Sequence, residues 1–220
     1  MQKGLSERKQ REFDLRRTYI IDKAEKLFYE FGYEAVTLNQ LAEAVHYTKA
    51  TLYTYLSCKD EIYLEVYCRG FEKRTEHLYQ NMKHCDTGFQ EVQSFGEAYF
   101  NFFKENPEIL FHQQYLDFRP VDFDKLPEQL VARFMQLNER SSKLVIAALQ
   151  KGIDDGSIKP DLKIDYFLGH LVLTLRACAS AVVSRKKIVL NHPFSEETNA
   201  KWYSDYLELI LSAIKGKKDN

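Results

Sequence analysis

The chain carries almost no net charge: 31 Lys and Arg stand against 32 Asp and Glu, a formal −1. That balance excludes a protein that coats polyanions through bulk charge, so any nucleic-acid contact must come from local placement. The first 59 residues hold a slight excess of cations and the remainder a slight excess of acids. Four cysteines, Cys58, Cys68, Cys85 and Cys178, include no C-x-x-C and no obvious pairing, which excludes a disulfide framework and leaves ordinary reduced thiols. The charged N-terminus lacks the apolar core of a signal peptide. The most apolar run, Tyr166 to Val183, contains His170 and Arg176 and is too polar and too short for a comfortable membrane span. No H-E-x-x-H, glycine-rich phosphate loop or nucleophile elbow occurs. His77, His84 and Cys85 come nearest to a cluster, but a seven-residue helical spacing separates the two histidines by about 10 Å, too far to share a metal. No enzyme activity, metal or cofactor is expected, and the protein is expected to be soluble and cytoplasmic.

What is present is helical punctuation. The segment Thr37 to Lys59, TLNQLAEAVHYTKATLYTYLSCK, reads as two short helices joined by a tight turn. Thr37 and Gln40 have the spacing of a capping box. Leu41, Ala42 and Val45 supply an apolar face, His46 and Tyr47 occupy the turn, and Thr48 can cap the second helix. Leu52 and Leu56 share an inward stripe. A small, hydroxyl-rich outer surface then remains, of the kind a major groove accepts, since hydroxyls reach base edges or phosphates and threonine methyls meet thymine. The expectation is a DNA-binding helix-turn-helix.

ATLYTYLSCK, preceded by TLNQLAEAVHYTK, resembles the N-terminal signature of TetR-type transcriptional regulators, in detail over about residues 15 to 65. Such proteins usually carry glycine in the turn where this chain has His46, a residue that tolerates positive φ better than most. Ala50 stands where glycine is frequent, and Leu56 where phenylalanine is. The resemblance implies an inducer pocket in a helical body.

The remaining pattern is helical throughout. A charged arm, Gln2 to Asp14, precedes a helix over Leu15–Phe31 with Ile20, Ala24, Leu27 and Phe31 on one stripe, stopped by Gly32; the arm reads as disordered alone, or as a tail that follows the DNA backbone or minor groove. Ser57 with Asp60 marks the start of a long helix carrying Ile62, Val66, Phe71 and Leu78 toward Asp86. Further helices are expected at Phe89–Glu105, Pro107–Phe118, Pro127–Lys151, Ile164–Ser184 and Thr198–Ile214, with proline well placed at first helical positions. Loops fall at GIDDGSIKPDLK and around Asn191, His192 and Pro193. The fold expected is all-α, about nine helices: a three-helix DNA-binding domain over 1–59 and a larger helical ligand-binding and dimerisation domain over 60–220.

Eight residues are candidates for DNA contact. Lys49 and Thr51 are placed on bases, with Thr48 and Thr54 flanking, while Thr37, Tyr53, Tyr55 and Lys59 fix register on phosphates. Aromatics make up 14% of the chain, and many cluster between residues 99 and 118, as a packed core or as the wall of an apolar cavity. Candidate ligand contacts are Tyr99, Phe103, Phe111, Tyr115, Phe134, Asn138, His170 and Thr174. The small-residue patch Ala177 to Ala181 and the stripe Trp202, Tyr203, Tyr206, Leu207, Ile210 and Ile214 are expected to form a symmetric homodimer interface. Together these imply a ligand-responsive regulator, a repressor that binds a palindromic operator as a dimer and is released by a small apolar or aromatic inducer. The alternative is an adaptor of the same fold controlled by a protein partner.

Overall fold

The computed structural model describes residues 2–118, 121–183 and 196–216. Over these residues it contains nine α-helices: α1 (Gln2–Ala35), α2 (Leu38–Ala44), α3 (Lys49–Leu52), α4 (Lys59–Asn81), α5 (Gly88–Glu105), α6 (Pro107–Phe118), α7 (Glu128–Asp154), α8 (Ile164–Val183) and α9 (Glu196–Ser212). A 3₁₀ turn covers Phe123–Lys125. Among the described residues no strand forms, and only an isolated bridge joins Ile158 to Lys215. The expected loop around Asn191, His192 and Pro193, and the expected helix end at Ser184, lie outside the described residues.

Several boundaries follow from capping chemistry. Thr87 caps α5 by accepting from Gln90 N while Gln90 reaches back to Thr87 N, so the helix starts at Gly88, one residue ahead of the sequence reading. α6 starts at Pro107, where a missing N–H costs nothing. One expectation is corrected. The arm is not a loose tail: α1 runs as helix from Gln2, and only Gly32, at φ 77°, breaks its geometry. α4 starts at Lys59, within the stretch from Ser57 to Asp60; there Glu61 accepts from both Ser57 N (2.6 Å) and Ser57 Oγ (2.7 Å), and Asp60 accepts from the Tyr33 hydroxyl.

The chain forms two compact units, one of Met1–Phe71 with Phe111–Met135, the other of Glu72–Leu110 with Gln136–Asn220.

In the first unit, α1 buries Ile20, Ile21, Ala24 and Phe28 against Leu41, Val45, Leu52, Leu56, Ile62 and Val66. Phe31, expected on that stripe, is 55% exposed; Phe28 takes the inward place. Around Phe28 the rings pile up: Tyr63 lies 5.5 Å from Phe28, 4.9 Å from Tyr33 and 4.1 Å from the His112 ring of α6. Tyr115 stacks on Tyr33 and donates to Glu34.

His112 is buried, its Nε2 has no hydrogen-bond partner, and burial pushes its pKa down from 6.5 to about 4. The neutral ring belongs to the fold, and the unfolded chain takes up the proton first. Stability is thus complete above pH ~6.5, falls as pH drops toward ~4, and levels off below, with a slope of at most about 1.4 kcal/mol per pH unit. Urea titrations of the wild type and His112→Phe across pH 4 to 7 check this: the substitution should remove that slope, and an unchanged pH profile would refute the assignment.

In the second unit, α5, α8 and α9 pack pairwise. Val92, Phe95, Tyr99 and Phe103 of α5, Leu171, Leu175 and Ala179 of α8, and Tyr203, Leu207 and Leu211 of α9 are all buried on these packed helices. Tyr203 stacks on Phe100 at 4.1 Å and donates to Gly96 O. The stripe assigned to a dimer interface is therefore partly internal: Tyr203, Leu207 and Ile214 are buried within this unit, as are Cys178 and Ala179. Tyr166, Leu173, Trp202 and Leu209 are the large apolar side chains that α8 and α9 leave exposed. α8 has the length and composition to cross a membrane, but here it packs on α5 and α9.

Candidate nucleic-acid interface

The segment 37–56 folds as two helices around a turn, and each bend has a local cause. Gln40 N donates to Thr37 Oγ1 (3.2 Å) and Thr37 N donates to Gln40 Oε1 (2.7 Å), closing the capping box at the start of α2. The helix ends where His46 adopts φ 57°, the left-handed geometry for which glycine is usual. Tyr47 N then donates to Ala42 O (2.9 Å) and closes the turn. Thr48 caps α3 through Thr51 N (3.1 Å). α3 itself is a single turn, Lys49–Leu52, prolonged by Tyr55 N→Leu52 O and Leu56 N→Leu52 O. Leu52 and Leu56 are buried and fix which way the segment faces.

The eight residues singled out for DNA contact fall into distinct roles. Lys49, Tyr53 and Thr54 are exposed, as is Ala50 between them. The threonine hydroxyls are already engaged. Thr48 Oγ1 lies 2.8 Å from Thr51 Oγ1, Thr54 Oγ1 donates to Thr51 O (2.7 Å), and Thr37 Oγ1 donates to Gln40 Oε1 (2.9 Å). A hydroxyl that spends its proton on its own helix offers an incoming phosphate only lone pairs, so these threonines shape the segment first. Tyr55 is half-buried, 6.2 Å from the Tyr47 ring. Lys59 holds its ammonium 3.9 Å from the centroid of the Tyr33 ring, a cation–π position within the head. Lys49 is the member of the set that is both cationic and outward-facing.

Two supports were not read from the sequence. Phe13 lies 5.0 Å from the Tyr55 ring, and Arg16 Nη1 donates to Tyr55 Oη (3.4 Å). Arg17 bridges Glu61 (2.8 Å) and Glu65 (2.6 Å), and Glu65 in turn holds Arg133 at 2.9 Å. Since Glu61 also accepts from Ser57, one ionic chain connects the end of the reading segment, α1, α4 and α7 within the first unit. These pairs lie 44 and 68 residues apart, beyond any local pattern.

The eight candidate ligand contacts are divided between the two units. Phe111, Tyr115 and Phe134 belong to the first unit, the others to the second. Phe111 is 44% exposed, and Phe134 lies between Tyr67 (5.7 Å) and Phe123 (5.5 Å). His170 is exposed and Asn138 half-buried. The Thr174 hydroxyl donates to the carbonyl of His170 in its own helix, which satisfies it without a ligand. Tyr99 and Phe103 are buried together at 4.9 Å. Beside them stand two buried cations: Arg74 lies 5.5 Å from the Tyr99 ring centroid, and Arg176 Nε donates to Tyr99 Oη (3.3 Å).

Residues 20–66 match the family of bacterial regulatory proteins, tetR family. The chain is 24% identical over 156 residues to the uncharacterized HTH-type transcriptional regulator YhgD of Bacillus subtilis, covering 66% of this chain and 73% of that protein. It is 26% identical over 106 residues to the HTH-type transcriptional activator FasR of Mycolicibacterium smegmatis, covering 47% of this chain and 48% of that one. The fold resembles the crystal structure of the transcriptional regulator FadR from Bacillus subtilis in complex with stearoyl-CoA, with a TM-score of 0.64 at 18% identity over 89% of this chain and 97% of FadR. The capped helix-turn-helix falls within the matched residues, so it is the N-terminal head of the chain that resembles the tetR family of bacterial regulatory proteins.

Proposed function

We propose that the protein is a ligand-responsive transcription regulator that binds a palindromic operator as a homodimer and releases it on taking up a small molecule. The outward face of α3 carries this reading: a capped helical turn, fixed from behind by Leu52 and Leu56, presents Lys49, Ala50 and Tyr53 to solvent. Lys49 makes base contacts, the threonine methyls supply apolar contact, and Tyr53 takes a phosphate. The exposed apolar residues Tyr166, Leu173, Trp202 and Leu209 support α8 and α9 as the dimerisation face. Two heads on a two-fold axis suit an inverted repeat.

The ligand is a mostly apolar molecule, and the cations Arg74 and Arg176 beside Tyr99 favour one that also carries an anionic group. That FadR is described in complex with stearoyl-CoA agrees with this chemistry. Binding acts by preferring one of two conformations of the dimer, and it shifts their balance only by its difference in affinity for them.

Selection of a randomised duplex library by the full chain is the test. An inverted repeat is expected, with a log–log salt dependence of binding steeper than about −3. Absence of enrichment by a folded dimer would refute the regulator reading. An acyl-CoA or free fatty acid is expected to raise the melting midpoint with concentration; silence across such ligands, with the operator still bound, would favour control by a protein partner.

A further inference from the structure

We propose that the helical arm of residues 2–14 is a second DNA-contacting element, in which Lys9 meets an operator phosphate beside α3 and Phe13 and Tyr55 are the positioning residues. The inference rests on the DNA-binding reading above and extends it beyond the family match, which begins at residue 20.

α1 begins at Gln2, whereas its first buried residue is Ile20, so about 27 Å of helix stands ahead of its own core contacts. An isolated stretch of that length is marginal as a helix in water. Here side-chain pairs and one anchor hold it. Arg11 faces Glu7 (3.9 Å), Arg16 bonds Glu12 (2.5 Å) and Gln10 bonds Asp14 (2.9 Å). The anchor is Phe13, against Tyr55 at the end of the reading segment, with Arg16 reaching the same hydroxyl. Tyr55 in turn faces Tyr47 from the turn before α3. The arm is thereby fixed to Tyr55, just past the end of α3.

Charge placement adds the partner. Glu7, Glu12 and Asp14 each have a donor within their own helix, while Arg8 and Lys9 have no acidic partner among the described residues. Lys9 lies four residues before Phe13, on the same helix face and about 6 Å further along the axis. The face that docks on Tyr55 thus continues, one turn on, into an exposed, uncompensated ammonium. A phosphate of the duplex that α3 reads is the anion we assign to it.

The test uses the full chain and an operator recovered by library selection. Lys9→Gln is expected to weaken binding about tenfold at 0.15 M salt and to make the salt slope shallower by about 2 per dimer, one phosphate being lost from each subunit. Lys9→Arg should retain the wild-type slope. Phe13→Ala should cause the same loss as Lys9→Gln, and the double substitution no more than either alone, because an unpositioned arm has no contact left to remove. Lys104→Gln, on α5, controls for bulk charge and should change neither quantity. A wild-type slope in Lys9→Gln, with the operator still bound, would overturn the arm and leave the regulator reading intact. Failure of the wild-type chain to select any operator would overturn that reading and the proposal with it.

Discussion

Arg17→Met is expected to cost the first unit about 3–5 kcal/mol, the range for removing one partner of a buried charge group. The Glu61 and Glu65 side chains are only 5% and 9% exposed, and both rest on the one guanidinium. Methionine fills the stem's volume but leaves two carboxylates facing each other, with Arg133 still paired to Glu65. Arg17→Lys should fall between, since one ammonium lacks the fork that reaches two acids together. Glu61 also accepts the N–H of Ser57 at the end of the reading segment, so operator affinity should fall along with stability. Urea unfolding checks the first effect; a loss below about 1 kcal/mol would show that the pairs are solvated and structurally idle.

Gly88→Ala should lower the melting temperature by roughly 6–12 °C, corresponding to about 3 kcal/mol for a chain of this size. A Cβ at Gly88 would lie 2.0 Å from Gly152 N and 2.4 Å from Ala148 O, both backbone atoms of α7. No rotamer change relieves such a clash, so the start of α5 must move away from α7. That movement also strains the bond from Gly88 N to Asp155 (2.7 Å). Gly152→Ala is the instructive contrast: the three atoms nearest its Cβ all belong to the Ile158 side chain, the first at 2.4 Å from Cδ1, and a side chain yields more readily than backbone. Thermal melts of the two variants should rank them in that order, and an equal loss would contradict the backbone origin of the effect.

The parts of this architecture that were legible in the sequence are those with causes a few residues away. Thr37 with Gln40, Thr48 at the start of α3, Pro107 and the left-handed His46 each declare themselves within one turn. Leu41, Val45, Leu52 and Leu56 were equally plain, because their spacing alone puts them inward. Phase errors appeared where neighbouring apolar residues compete: Phe28 and Phe31 both suit a helix face, and burial of Phe28 beside Tyr63 decides between them. Partners set by tertiary packing stayed hidden. Glu61 holds Ser57, and Lys59 stands over the Tyr33 ring. The arm looked like a tail because nothing local shows that Phe13 has Tyr55 to meet. α9 looked like a surface for a second copy because one stripe cannot reveal which of its rings its own subunit uses.

The mutual engagement of the threonines bears on how the proposed operator preference could be rewritten. Between Thr48 and Thr54, Thr48 is committed to the cap, Thr51 to Thr48, Leu52 to the core and Thr54 to a carbonyl of its own turn. Lys49, Ala50 and Tyr53 are left as the letters of the segment that the fold does not also need. A small combinatorial library at those positions would sample new recognition while keeping the scaffold constant, and one that spread to the threonines would lose folded members first. The short alphabet is a consequence of building the reading helix from a single capped turn.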